Sequence, residues 1–113
     1  MEKFRKEDLV QISMEMILHA GDARTALMLA YDLLEEDQLV EAESKMKEAN
    51  DLLTKAHKCQ TKVVQSEAAG ISIEYSPLFS HAQDTMMTVQ SQYILSKKIF
   101  KLYLKQTKGR EGV

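Results

Sequence analysis

A chain of 113 residues is long enough for one domain and too short for two independent cores. It is 44% hydrophobic and 28% charged, which excludes a disordered chain, and its seven aromatic residues amid abundant Leu, Ala and Met suit helices better than sheets. A formal net charge of −2 excludes the strong basic field that recruits nucleic acid or an anionic membrane, so a protein or small-ligand partner is expected.

The single cysteine, Cys59, cannot form an internal disulfide and has no CxxC or Cys/His company, so it reads as an ordinary helix residue. No N-terminal segment resembles a secretion signal and no apolar run is long enough to span a bilayer. A reducing cytoplasm without membrane insertion is the expected compartment.

A first helix is expected over about residues 7–35, with apolar or small residues at Leu9, Ser13, Met16, Ala20, Ala23, Leu27, Ala30 and Leu34. Steps alternating between three and four keep such a stripe on one face. Within it, "AGDAR" (Ala20 to Arg24) places Gly21 inside a helix at a cost of ~1 kcal/mol relative to Ala, which close approach of a neighbouring helix would explain. Arg24 either binds an anion or pairs with Asp22 or another helix. His19 has no ionisable company and reads as packing or solvent-facing. "EEDQ", around Asp37, is short enough to make the first two helices antiparallel neighbours.

The second helix, about 38–68, repeats the pattern at Leu39, Ala42, Met46, Ala49, Leu53, Ala56, Gln60 and Val63. Gln60 is the polar member of an apolar seam, so a buried hydrogen bond is expected of it, and His57 reads as structural. "AAGISIEYSP" (Ala68 to Pro77) is the longer connection, with Gly70 as helix stop, Ser76 as N-cap and Pro77 in the first turn of the next helix. That third helix, about 77–107, carries Ala82, Met86, Val89, Tyr93, Ser96, Phe100 and Tyr103, and the tail "KGREGV" is expected to fray.

The fold class is therefore all-α, a single domain over 1–113 forming an antiparallel bundle of three helices about 45 Å long. Such a rod has much surface for its volume. The third helix bears a second apolar set, Leu95, Ile99 and Leu102, which either widens the core-facing stripe or faces another subunit. Self-association is favoured, because a narrow rod buries too little alone.

The densest chemistry lies in "SPLFSHAQDTMM", Ser76 to Met87, where His81, Gln83 and Asp84 come shortly after the only proline. Free backbone N–H groups and the dipole at a helix start favour negative charge nearby. An imidazole is a capable nucleophile, and once phosphorylated it bears a group of about −1.5 to −2 charge. Asp84, three residues on, either hydrogen-bonds the imidazole and fixes its tautomer, or points into an oligomer interface and binds a cation. An ordinary capping and surface pair is the bland alternative. Thr85, Thr88, Ser91 and Gln92 extend the polar strip before Leu95 and Ile99 take over, as a site mounted on an interface would.

Taken in order, "AGDAR", "AHKCQT" (Ala56 to Thr61) and "HAQD" (His81 to Asp84) make the chain resemble, from about Leu9 to Leu104, the lactose/cellobiose-type IIA component of the bacterial sugar phosphotransferase system. The resemblance implies a homotrimer of three-helix subunits. It implies that His81 forms a tele-phosphohistidine, taking its phosphoryl group from phospho-HPr and passing it to a cysteine of the cognate IIB protein, which feeds a sugar permease. It further implies Gln83 as a supporting residue and Asp84 from each of three subunits as ligands of Mg2+ or another divalent cation. Cys59 is not the phosphorylated cysteine. Where the family often reads "HAQDHLM", this chain has Thr85 in place of a second histidine. Two other functions compete: a non-catalytic helical adaptor or oligomerisation module, and a metal-dependent hydrolase, which one His and one Asp per chain support poorly.

Overall fold

Three α-helices make up most of residues 4–111, the part of the chain that the computed structural model describes: α1 (Lys6–Glu35), α2 (Leu39–Ala68) and α3 (Pro77–Glu111). Among the described residues no strand forms, and ahead of α1 the Phe4 N–H donates to the Ser72 carbonyl at 3.0 Å.

Local chemistry sets the helix ends. At the end of α1, Asp37 adopts a φ of 61°. Its amide donates to the Leu34 carbonyl at 3.0 Å and that of Gln38 to the Leu33 carbonyl at 2.9 Å, which closes the helix in the left-handed region. Aspartate tolerates that region better than most side chains. The Tyr103 hydroxyl donates to Asp37 Oδ1 at 3.1 Å and ties this turn to α3. The same closure ends α2, with Gly70 at φ 91° and bonds of 3.0 Å from Gly70 to Glu67 and from Ile71 to Ser66. α3 begins as expected: Ser76 Oγ accepts the Phe79 N–H at 3.1 Å, and Pro77 occupies the first helical position, where its missing N–H is no loss.

α3 runs to Glu111, past the expected end at about residue 107. α3 continues without a proline, and one glycine, Gly109, costs only ~1 kcal/mol. Residues 112–113, the rest of the tail, lie outside the described residues.

The core is one continuous cluster. Ala20, Ala23, Ala30 and Leu27 of α1 meet Ala42, Ala49, Ala56 and Leu53 of α2, with Ala82, Met86, Val89 and Phe100 of α3 packed against them. Alanines let α1 and α2 approach closely, and this is the most extensive helix pair. α3 rests mainly on α1 and only lightly on α2, leaving an open groove of about 770 Å³ between α2 and α3. Tyr31 fixes the α1–α3 register: its hydroxyl donates to Ser96 Oγ at 2.7 Å, and its ring meets Phe100 edge-on at 5.8 Å.

Two expectations are corrected. The hydrogen bond between α2 and α3 is made by His57 Nε2 with Gln90 Oε1, while Gln60 stands half-buried at the edge of the seam. Gly21 is exposed, and a Cβ added there would meet nothing within 4 Å, so no helix of the same chain approaches it closely.

The bundle measures 68 × 21 × 18 Å, with a radius of gyration of 18.0 Å against about 13 Å for a compact chain of this length. Its accessible surface is 7843 Å², where a compact monomer of 12.9 kDa exposes about 6300 Å². Part of this excess is apolar. Leu95, Ile99 and Leu102 are 62%, 46% and 64% exposed, so they are a separate outward stripe and not the flank of a wide core-facing one.

Candidate functional site

α3 turns about 100° per residue, so residues near each other in sequence face different surroundings. Ala82, Met86 and Val89 point into the core, which leaves His81 and Asp84 outside it. Both are exposed, and both line a shallow groove of about 250 Å³ between α1 and α3, together with Arg24, Thr85, Thr88 and Val89. His81 is thus a solvent-reached imidazole one turn into a capped helix, and the cap at Ser76 is what holds that turn in place.

The polar strip is locally satisfied. Thr85 Oγ1 donates to the His81 carbonyl at 2.9 Å, and Thr88 Oγ1 to the Asp84 carbonyl at 2.8 Å. Among the described residues no hydrogen bond joins the His81 ring to Asp84, so the carboxylate does not set the imidazole tautomer. Asp84 instead begins an outward line, Asp84, Thr88, Ser91, Leu95, Ile99 and Leu102, all exposed and spaced by steps of three and four. That line lies opposite the core-facing stripe and has the spacing of a coiled-coil seam.

Gln83 is not brought into the His81 groove. It lies on the other flank of α3, half-buried, in a cleft with Val63, Glu67, Tyr75, Phe79 and Ser80. Of the apolar residues near the site, Phe79 packs on the core, Leu78 is half-buried and Met87 is exposed.

The helix start contributes fewer free donors than its position suggests. Phe79 N–H is taken by Ser76 Oγ and Ser80 N–H by the Ser76 carbonyl, at 3.1 Å each. Arg24 is a residue whose neighbours the sequence left open: it lies across the groove from α3. Among the described residues the ion pairs are Arg5–Glu7 and Lys45–Glu48, so neither Asp22 nor Asp84 engages it.

His81 and Asp84 thus stand exposed side by side at a shallow surface groove, on a helix whose first turn is capped by Ser76. Residues 11–104 match the family described as "PTS system, Lactose/Cellobiose specific IIA subunit". The class is thus that of IIA components of the sugar phosphotransferase system, the phosphocarriers in sugar uptake. Within that class, the chain belongs to the lactose/cellobiose-specific IIA family.

Relatives agree along nearly the whole length. The chain is 36% identical over 104 residues to the lichenan-specific phosphotransferase enzyme IIA component of Bacillus subtilis (strain 168), covering 92% of this chain and 94% of that protein. It is 34% identical over 100 residues to the lactose-specific EIIA component of Staphylococcus epidermidis, covering 88% and 96%. The crystal structure of PtcA from S. mutans superposes with a TM-score of 0.86 at 36% identity, covering 88% of this chain and 98% of that one. The cellobiose-specific enzyme IIA from Bacillus anthracis gives 0.80 at 35% identity, covering 87% and 90%.

Proposed function

We propose that the protein carries its phosphoryl group on His81, receiving it from phospho-HPr and delivering it to the cysteine of a cognate IIB protein that serves a sugar permease. The observation that carries this reading is the exposed His81 ring on the capped first turns of α3, open to a groove shallow enough for a second protein to reach. In the first step Nε2 of His81 attacks phosphorus as the donor's P–N bond breaks, and the donor imidazole keeps the electron pair. In the second step a thiolate of IIB attacks, and the His81 ring recovers its lone pair. Catalysis is mainly positioning of donor and acceptor in line, which suits an open, rigid helix face.

The working form is a homotrimer about α3. The outward seam from Asp84 to Leu102 and the surface in excess of a compact monomer support it. Among the described residues one chain gathers no group of three His, Cys, Asp or Glu side chains, whereas its lone outward Asp84 would meet its two equivalents on a threefold axis. Such a set of carboxylates fits Mg2+ or another hard divalent cation, which when bound neutralises their charge. Gln83 acts from the flank, through the cleft it shares with Phe79 and Ser80, and not by direct contact in the His81 groove. No described helix is long and apolar enough to cross a membrane, in keeping with a carrier working in the cytoplasm.

The competing adaptor reading explains the seam but not the exposed histidine. The test is to incubate the protein with labelled phosphoenolpyruvate, the system's first enzyme and HPr. An acid-labile label is expected on the native protein and none on His81→Ala; equal labelling of both would end the assignment.

A further inference from the structure

Phosphoryl oxygens are acceptors, so a phosphoryl group held in the His81 groove must find donors there. The Thr85 and Thr88 hydroxyl protons are spent on the carbonyls of His81 and Asp84. Asp84 is acceptor-only when ionised. At the start of α3 the Phe79 and Ser80 amides are engaged by Ser76, and Leu78, whose amide is not, lines a different cleft. Val89 has no polar side chain. Apart from His81 itself, the one lining side chain with uncommitted N–H groups is Arg24.

Its place is set by the register of the bundle. The up-down-up order makes α1 and α3 parallel, and the Tyr31–Ser96 bond sets Arg24 roughly level with Val89, which shares the groove. Side chains on a helix lean toward its N-terminus, so Arg24 is inclined along the groove toward the His81 end. A guanidinium also matches the geometry of phosphoryl oxygens, accommodating two of them at once.

We propose that Arg24 is the anion-holding arm of this site: its guanidinium engages the phosphoryl group carried on His81. The inference rests on His81 as the phosphoryl carrier and adds a residue to that site.

The test uses the full-length protein and Arg24→Gln and Arg24→Lys variants, phosphorylated in two ways. In the first, phospho-HPr is the donor. Arg24→Gln should slow transfer about ten-fold or more, the usual effect of losing one charge-assisted bond, and Arg24→Lys should recover part of the rate. In the second, potassium phosphoramidate phosphorylates histidine chemically, its own P–N bond breaking with release of ammonia. The phosphorus resonance absent from His81→Ala is then titrated. A neighbouring cation favours the dianion, so the phosphoryl group should titrate about half a unit or more higher in Arg24→Gln than in the native protein. Equal transfer rates or coincident titration curves would overturn the proposal. If phospho-HPr fails to label the native protein, the carrier reading falls, while the chemically introduced group still decides the part assigned to Arg24.

Discussion

Replacing Leu95 and Leu102 together by glutamate should dissolve the proposed trimer while leaving the subunit folded. Neither leucine contributes to the core, and 62% and 64% of their surface remains exposed in the single chain. Fully burying a leucine contributes about 1.5–3 kcal/mol, so covering the exposed three-fifths contributes about 1–2 kcal/mol per side chain. A trimer holds six such side chains, or about 6–12 kcal/mol, equivalent to at least about four powers of ten in the association constant. Glutamate is a good helix former, and three carboxylates in each layer of the seam would add repulsion to the lost burial. Sedimentation over a range of concentrations should show native trimer and variant monomer, with equal helicity by circular dichroism. A variant that remains trimeric at the native concentration would refute the placement of the interface on the outward face of α3.

Ser76→Ala removes the side-chain cap of α3 and should cost about 1 kcal/mol, lowering the thermal midpoint by roughly 4–8 °C; an unchanged midpoint would show that the cap contributes nothing to stability. The Cys59 thiol is pushed above its ordinary pKa, first by burial and then by the charge of Glu15 and the S–H bond to it, with Sγ 3.6 Å from Oε2. Alkylation at pH 8 should therefore be slower than for a free cysteine and should quicken in Glu15→Gln; an unchanged rate would contradict the role given to Glu15. By linkage, the stability tied to this thiol is fully present below the unfolded thiol's pKa and is lost as pH rises through the higher folded value, a loss that Glu15→Gln should reduce. With the proposed Asp84 cation site, chelator should weaken the proposed trimer through unneutralised carboxylates and leave Asp84→Asn unaffected, as sedimentation would show; equal responses would refute that site.

The helices and their buried stripe were legible because each of Leu9, Ser13, Met16 and Ala20, and each of Ala82, Met86 and Val89, obeys a period set by helix geometry alone. The ends were legible for a similar local reason, since Gly70 and Ser76 act through bonds to residues only a few positions away. The exposed position of His81 is implied by its offset relative to Ala82. What stayed hidden depended on register between distant segments. The groove shared by Arg24 and His81 exists because Tyr31 meets Ser96, a contact between residues 65 apart in the chain. That His57, and not the seam residue Gln60, makes the hydrogen bond has the same origin, since which of two residues three apart on α2 meets Gln90 depends on how α2 and α3 are aligned. Grouping Gln83 with His81 by proximity in sequence overlooked the rotation of about 200° that separates them. Gly21 carries no account within the single chain.

Locating the phosphoryl group is the most direct measurement of the carrier role. The protein would be phosphorylated through HPr, kept at alkaline pH where phosphohistidine survives, digested and sequenced by mass spectrometry. One phosphorylated residue, His81, is expected, with loss of the modification when the cognate IIB is added. A phosphoryl group on His19 or His57, or one on His81 that IIB does not remove, would contradict that role.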